Sequence, residues 1–166
     1  MPDDAAIPLT DDDLFGDERP AEEASASFVA CRLDTEWYGV PLAAAREVVR
    51  VGPIAYLPSA PPHVVGIVSL RGALLSVTDP KRLLGLSPTP VTDRSRLVVI
   101  ERHGLETGLL VDEVAEVIVV PISRLEPPPN TLEPARAAFL EASCRWGDRL
   151  MAILRSETVL VPTPTP

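Results

Sequence analysis

Between residues 27 and 160 the chain is a succession of short apolar runs, each stopped by glycine, proline or polar turn residues. Runs such as Val64–Leu70, Ala73–Thr78 and Arg96–Arg102 have the length and β-branched content typical of strands. About nine or ten strands at this spacing predict a β-barrel or a β-sandwich. Too little of the chain favours helices for α/β layering.

A few segments depart from the strand pattern. Leu42–Arg50 is rich in alanine and favours one or two helical turns, and Ala135–Ala142 and Ser156–Leu160 are also predicted to be helical. Pro80–Gly85 is predicted to be a short helix capped by Asp79, because proline suits the first turn and glycine the C-terminal end. The other predicted strands, with turns at Thr35–Glu36 and His103–Gly104, are Ser27–Asp34, Trp37–Pro41, Ile54–Leu57, Glu106–Val111, Val114–Pro121 and Arg149–Leu154.

Most of the net charge of −9 lies in the first 25 residues, which carry nine acidic side chains and one arginine. Residues 1–26 are therefore predicted to be a disordered acidic tail, and the Pro/Thr stretch at 162–166 a second disordered tail. Asp13–Gly16 (DLFG) is an apolar island in the first tail, either a docking motif or a chance cluster. The rest of the chain is nearly neutral, which argues against nucleic-acid binding.

The sequence contains no recognisable catalytic or metal-binding motif. His63 and His103 lack acidic or nucleophilic neighbours placed by a motif, and phosphate-binding loops, G-x-S-x-G and H-E-x-x-H are absent. Cys31 and Cys144 are widely separated thiols that we interpret as buried hydrophobic side chains. We therefore expect no enzyme activity, no metal and no cofactor. A small hydrolase on a β-barrel is the remote alternative.

No apolar run approaches the ~20 residues that cross a bilayer, so we expect no membrane insertion. The N-terminal residues lack the basic start and apolar stretch of a signal peptide. The expected location is the cytoplasm.

A single cation stands at the tip of one predicted hairpin. In Gly66–Gly72 (GIVSLRG) an apolar strand ends at Arg71, and Gly72 can adopt the positive φ of a tight turn. Two interpretations are open, a contact with another molecule or an ion pair within the fold. Glu47 is a candidate partner for such a pair, and Asp79 is another, although Asp79 fits the helix cap better.

Seven ordered segments resemble the CheW-like domain, the adaptor of bacterial chemosensory arrays. They cover about residues 27–160 in the order of the family. The segments are Trp37–Pro41, Arg46–Val49, Leu57–Pro61, Gly66–Gly72 with Val77–Asp79, Thr107–Asp112, Val114–Val117 and Trp146–Leu154. Ser69, Ser76 and Pro80 depart from the family pattern, which has Asn, Pro and Leu at these positions.

The resemblance implies that residues 27–161 form an all-β fold of two SH3-like five-stranded β-barrel subdomains around a shared hydrophobic core, with a few short helices. It also implies a non-catalytic adaptor that joins the cytoplasmic tips of methyl-accepting chemoreceptors to the regulatory domain of a CheA-type histidine kinase. The expected location then becomes a membrane-associated receptor array.

Site residues follow from the same resemblance. Arg71 and Glu47 map to the family's receptor-binding arginine and glutamate, and Val48 and Val68 would be apolar positions near the groove between the subdomains. Val51, Ile54 and Leu57 would contact the kinase. A second hypothesis keeps the fold but places the chain in a pilus- or gliding-type signalling system, with different partners.

Overall fold

The computed structural model of the chain describes residues 23–161. Residues 1–22 and 162–166, most of the two predicted tails, lie outside this range. The first strand begins at Ser25, inside the segment predicted to be disordered, because Ser25 and Ala26 pair with Pro121 and Val120.

Strands and short helices alternate along the described residues. In chain order they are β1 Ser25–Leu33, β2 Glu36–Pro41, β3 Ala45–Arg50, β4 Val64–Leu70, β5 Ala73–Thr78, α1 Pro80–Leu84, β6 Arg96–Arg102, β7 Leu105–Val111, β8 Glu113–Pro121, a 3-10 turn Ile122–Arg124, α2 Pro134–Ala137, β9 Leu140–Trp146, β10 Arg149–Leu154 and α3 Ser156–Leu160. The predicted β class is confirmed.

The strands form two five-stranded sheets, ordered β9-β10-β2-β1-β8 and β3-β6-β7-β5-β4. Neighbouring strands are antiparallel except β10–β2 and β5–β7, which are parallel. The predicted pair of five-stranded units is therefore present. Closed SH3-like barrels are not seen, because the strand pairings leave β9 and β8 as edges of the first sheet and β3 and β4 as edges of the second.

Alternation of side chains along the strands produces three buried apolar clusters. The cluster between the sheets contains Val29 and Cys31 from β1 and Val98 and Ile100 from β6. This is the predicted shared core. The intervening residues point the opposite way, into a separate cluster behind each sheet: Phe28 and Ala30 on β1, and Leu97 and Val99 on β6.

The helical turns predicted over Leu42–Arg50 are wrong. The first three residues form a turn, and Ala45–Arg50 is strand β3, antiparallel to β6. Helix propensity favours alanine over other residues by less than about 1 kcal/mol per residue, so pairing with a buried strand outweighs it here.

Three smaller predictions also need correction. The helix expected at Ala135–Ala142 is limited to Pro134–Ala137, because β9 begins at Leu140. Ile54–Leu57 contributes one bridge, from Ala55 to Ile67, rather than a strand. The first hairpin turn lies at 34–35, one residue before the predicted position.

The predicted helix after β5 is confirmed together with both of its caps. The backbone N–H of Lys81 donates to Asp79 Oδ1 at 3.0 Å, and Gly85 ends the helix with a φ of 72°.

Candidate functional site

The β4–β5 hairpin presents Arg71 at its tip. Leu70 pairs with Ala73, which leaves Arg71 and Gly72 as a two-residue turn with φ values of 51° and 81°. Positive φ at both positions matches the right-handed twist of the flanking strands. Gly72 adopts this conformation without strain, as predicted, whereas for Arg71 it costs roughly 1 kcal/mol.

The first glycine of the same motif serves a different purpose. A Cβ at Gly66 would lie 2.2 Å from the carbonyl oxygen of Ala55. Ala55 and Ile67 exchange two backbone hydrogen bonds of 2.8 and 2.9 Å, so the segment between β3 and β4 crosses β4 at close range. Only glycine leaves room for this crossing.

Arg71 and Glu47 form a two-pronged ion pair. Arg71 Nη1 donates to Glu47 Oε2 at 2.7 Å, and Nη2 donates to Oε1. Glu47 lies on β3 and Arg71 follows β4, so the pair joins the two edge strands of the second sheet. We call this gap between β3 and β4 the seam. The side chains link the edges where no backbone ladder does.

The ion pair keeps its charge accessible. Hydrogen bonding to Arg71 lowers the pKa of the Glu47 carboxyl, and hydrogen bonding to Glu47 raises the pKa of the Arg71 guanidinium. The Arg71 side chain is nevertheless 69% exposed. A guanidinium has five N–H donors and Glu47 accepts from two of them, so donors remain for another molecule. Arg71 therefore forms an ion pair within the fold and still has donors available for a contact with another molecule.

A cavity of about 240 Å³ lies along the seam. Its lining includes Val49 and Gly52 on the β3 side and Val68, Ser69 and Leu70 on the β4 side. Val68, predicted for receptor binding, is 6% exposed and packs in the cluster behind the second sheet. It can form only the floor of this groove.

Val48 does not join the other predicted receptor residues. Adjacent side chains on a strand point to opposite faces, so Val48 faces away from Glu47 and is 42% exposed there. Val49 lies on the same side of β3 as Glu47 and lines the groove. Val49 could have been found from the sequence, because it is two residues after Glu47 and alternate residues of a strand share one face. The prediction of helical turns over this segment hid that relation.

The residues predicted for kinase binding are only partly at the surface. Val51 and Ile54 pack against the cluster behind the second sheet. Leu57 is exposed, and its neighbour Tyr56, which the sequence reasoning missed, is 80% exposed. The external apolar surface of this segment is therefore formed by Tyr56 and Leu57.

A buried charge network connects the two sheets. The Lys81 side chain is 1% exposed, and its Nζ lies 3.3 Å from Asp112 Oδ1 and 3.4 Å from Asp79 Oδ1. Asp112, after β7, also accepts hydrogen bonds from Thr89 Oγ1 at 2.5 Å and from the backbone N–H of Asp34, after β1, at 2.7 Å. Burial opposes ionisation of Asp112, but these hydrogen bonds and Lys81 outweigh it and lower its pKa.

The thiols are buried, as predicted. Burial raises the pKa of Cys144, and burial together with Asp112 raises that of Cys31 to about 12. Within residues 23–161, His, Cys, Asp and Glu side chains form no group of three or more suited to a metal ion. In the same range no helix is long and apolar enough to cross a bilayer.

Comparisons with known proteins agree with the fold and with the family resemblance. Residues 27–161 match the family model of the CheW-like domain. The chemotaxis protein CheW of Bacillus subtilis is 30% identical over 104 residues, 63% of this chain and 67% of that protein. Protein FrzA of Myxococcus xanthus is 30% identical over 116 residues, 70% of each chain.

A solved structure extends the match to three dimensions. The crystal structure of scaffolding protein TtCheW from Thermoanaerobacter tengcongensis superposes with a TM-score of 0.74 at 29% identity, covering 85% of this chain and 91% of that one. The ordered segments, the domain match and the shared architecture together show that this chain belongs to the CheW-like domain family.

Proposed function

We propose that this protein is a non-catalytic adaptor that couples the cytoplasmic tips of chemoreceptors to the regulatory domain of a CheA-type histidine kinase. The observation that carries the proposal is the seam, where an exposed, ion-paired arginine stands beside an apolar groove. Membership of the CheW-like family supports the scaffold role.

The seam suits one helix of a receptor tip. An amphipathic helix places apolar side chains in a groove, here against Val49, Val68 and Leu70. The remaining donors of Arg71 can then bind a carboxylate or the C-terminal carbonyls of the helix, where a cation is favoured. Glu47 holds the guanidinium in place before the receptor arrives.

We propose the kinase contact at the segment between β3 and β4. Tyr56 and Leu57 would supply its apolar contacts, with Val51 and Ile54 packed beneath them. Receptor and kinase would thus bind neighbouring parts of the second sheet. An adaptor of this kind would act at membrane-associated receptor arrays, where many linked sites multiply moderate affinities.

Recovery of a chemoreceptor cytoplasmic fragment from the same organism tests the receptor site. Arg71→Ala and Glu47→Ala are expected to lower recovery while the thermal midpoint stays nearly unchanged, because exposed ion pairs add little stability. Arg46→Ala is the matched control, since Arg46 forms its own ion pair with Glu101 on the opposite face of β3. Equal recovery by Arg71→Ala and Arg46→Ala would refute the receptor site.

The kinase contact is tested separately. Tyr56→Ala and Leu57→Ala are expected to lower recovery of the kinase regulatory domain without changing recovery of the receptor. Leu105→Ala, another exposed leucine at the β6–β7 turn, is the control. Loss of kinase recovery in all three variants, or in none, would contradict this assignment.

The alternative function, an adaptor of a pilus- or gliding-type system, can be tested at the positions that depart from the family pattern. The Ser76 hydroxyl lies 2.9 Å from Thr107 Oγ1, in a hydroxyl pair within the fold, whereas Ser69 lines the seam groove. Ser69→Asn restores the family residue. Stronger binding of a chemotaxis receptor by this variant would indicate that Ser69 serves a different partner.

A further inference from the structure

Four strands form the edges of the two sheets, and three of these edges are protected from pairing with another chain. β9 is covered where Ser143 and Glu126 exchange two backbone hydrogen bonds of 2.7 and 2.8 Å. β4 is covered where Ile67 and Ala55 do the same. β3 carries three charged side chains among its six residues, which discourage a further strand from pairing with it. The fourth edge is β8.

The centre of β8 has neither form of protection. Val117 and Val119 are 53% and 65% exposed, and Glu116 is the one charged residue between positions 116 and 120. Among the residues that the structure describes, β8 pairs with β1 alone. A long edge strand with exposed apolar side chains and few charges is a template for pairing with another strand.

The register with β1 shows which backbone groups of β8 are free. The N–H of Ile122 donates to the carbonyl oxygen of Ala24 at 2.9 Å. Hydrogen bonds to one neighbouring strand recur at every second residue, so Val120 and the alternate residues before it also bond to β1. The N–H and C=O groups of Val117 and Val119 therefore point away from β1. Within residues 23–161 they have no hydrogen-bond partner.

Two free N–H and two free C=O groups in a row match an extended strand. A helix cannot supply the complementary groups, because its own are bonded internally. A second copy of β8 supplies them if the two strands run antiparallel about a two-fold axis. Val117 then pairs with Val119 of the second copy, and Val119 with its Val117, which gives four backbone hydrogen bonds.

This pairing places the two-fold axis at Ile118. An axis at Val117 would put Ala115, the extra residue of the β-bulge against β1, opposite Val119 of the second copy. An axis at Val119 would put Pro121, which has no N–H, opposite Val117 of the second copy. The axis at Ile118 is the register that avoids both conflicts.

The same register keeps like charges apart. Glu116 lies opposite Val120 of the second copy, and the two Glu116 carboxylates are separated by about 13 Å along the strands. The exposed valines of both copies come side by side on one face of the joined sheet. Pairs of β-branched side chains across neighbouring strands stabilise a sheet.

We propose that the protein forms a two-fold dimer in which β8 of one copy pairs antiparallel with β8 of the other about Ile118. The first sheets of the two copies then form one continuous sheet of ten strands. A two-fold contact between identical surfaces is the commonest arrangement of soluble homo-oligomers. The seam belongs to the second sheet, so this contact is independent of the proposed receptor site.

The wild-type chain provides the first test. Sedimentation velocity between about 1 μM and about 1 mM protein should show a monomer–dimer equilibrium. Over the same series, the amide N–H groups of Val117 and Val119 should exchange with solvent more slowly as the concentration rises. The N–H of Ile118, which bonds to β1, should exchange slowly throughout. A chain that stays monomeric, or a dimer in which Val117 and Val119 gain no protection, would overturn the proposal.

Cysteine cross-linking tests the register. The two Ile118 residues would form a pair without backbone hydrogen bonds, with Cα atoms about 4.5 Å apart, which is within reach of a disulfide. Ile118→Cys should therefore give a disulfide-linked dimer when oxidised glutathione is added. Glu116→Cys is the matched control and should not, and the native cysteines are buried. Equal cross-linking of the two variants, or none in Ile118→Cys, would overturn the proposal.

A charge on the edge tests the contact in a third way. Val119→Lys should weaken dimer formation tenfold or more, because a lysine would stand between the paired valines. Leu150→Lys is the control, since Leu150 is similarly exposed but lies on β10, an interior strand of the same sheet. Circular dichroism checks that both variants fold. A dimer as stable in Val119→Lys as in the wild type, or weakened equally in both variants, would contradict the β8 contact.

Discussion

Replacing Lys81 with methionine removes a cation that is 1% exposed and lies between two carboxylates. Breaking a buried ion pair by removing one partner costs about 3–5 kcal/mol, because the other charge stays buried. Here Asp112 keeps hydrogen bonds from Thr89 and the Asp34 N–H, and Asp79 keeps the N–H of residue 81. These remaining bonds put the expected cost near the lower end of the range, at about 3 kcal/mol.

Urea unfolding followed by circular dichroism measures this cost at neutral pH. For a chain of this size, about 3 kcal/mol corresponds to a drop in Tm of roughly 10 °C. Arg82→Met is the matched control, since Arg82 is on the same helix, lies 3.8 Å from the same Asp79 and is half exposed. It should cost about 1 kcal/mol or less. Equal losses in the two variants would refute the buried network as the connection between the sheets.

Three further predictions concern the core and its charges. Asp112→Asn should lower the free energy of unfolding at neutral pH. The difference from the wild type should shrink below about pH 4, because the stabilisation by a carboxyl of lowered pKa is lost as the pH falls from its unfolded-state pKa through its folded-state pKa. A difference in unfolding free energy that is equal at all pH values would contradict this. Gly66→Ala should lower the free energy of unfolding by roughly 2 kcal/mol, because the new Cβ meets the Ala55 carbonyl oxygen. Gly52→Ala, with open space around it, should cost well under 1 kcal/mol in the same urea unfolding experiment. Cys31 and Cys144 should react with a thiol reagent only as fast as the protein unfolds, and rapid labelling of the native state would show that they are accessible.

The strand pattern was predictable wherever one run of apolar residues is buried on both faces, as in β1 and β6. It failed at β3, an edge strand in which half-buried and exposed side chains alternate, and at the start of β9, which was predicted to be helical. At β3, the three successive alanines that end at Ala45 resemble the start of a helix. Pairing with β6 decides the outcome, and that pairing is not visible in a local window.

The site was predictable to a similar extent. Arg71 and Gly72 were found because a charge in a tight turn is conspicuous in the sequence, whereas Glu47 was named as a candidate partner of Arg71 and from the family resemblance. The burial of Lys81 was missed, because its partner Asp112 lies 31 residues away and no local signal indicates that the two sheets meet there. Gly66 also appeared to be an ordinary strand residue, since its need for space comes from Ala55.

Exchanging the charges across the seam tests the central claim most directly. The double variant Arg71→Glu, Glu47→Arg retains an ion pair between β3 and β4 but moves the guanidinium to the other edge. Calorimetric titration with a chemoreceptor cytoplasmic fragment should show receptor binding about tenfold or more weaker than for the wild type, while the thermal midpoint stays close to that of the wild type. Wild-type affinity in the double variant would contradict the account, because the pair would then only join the two strands.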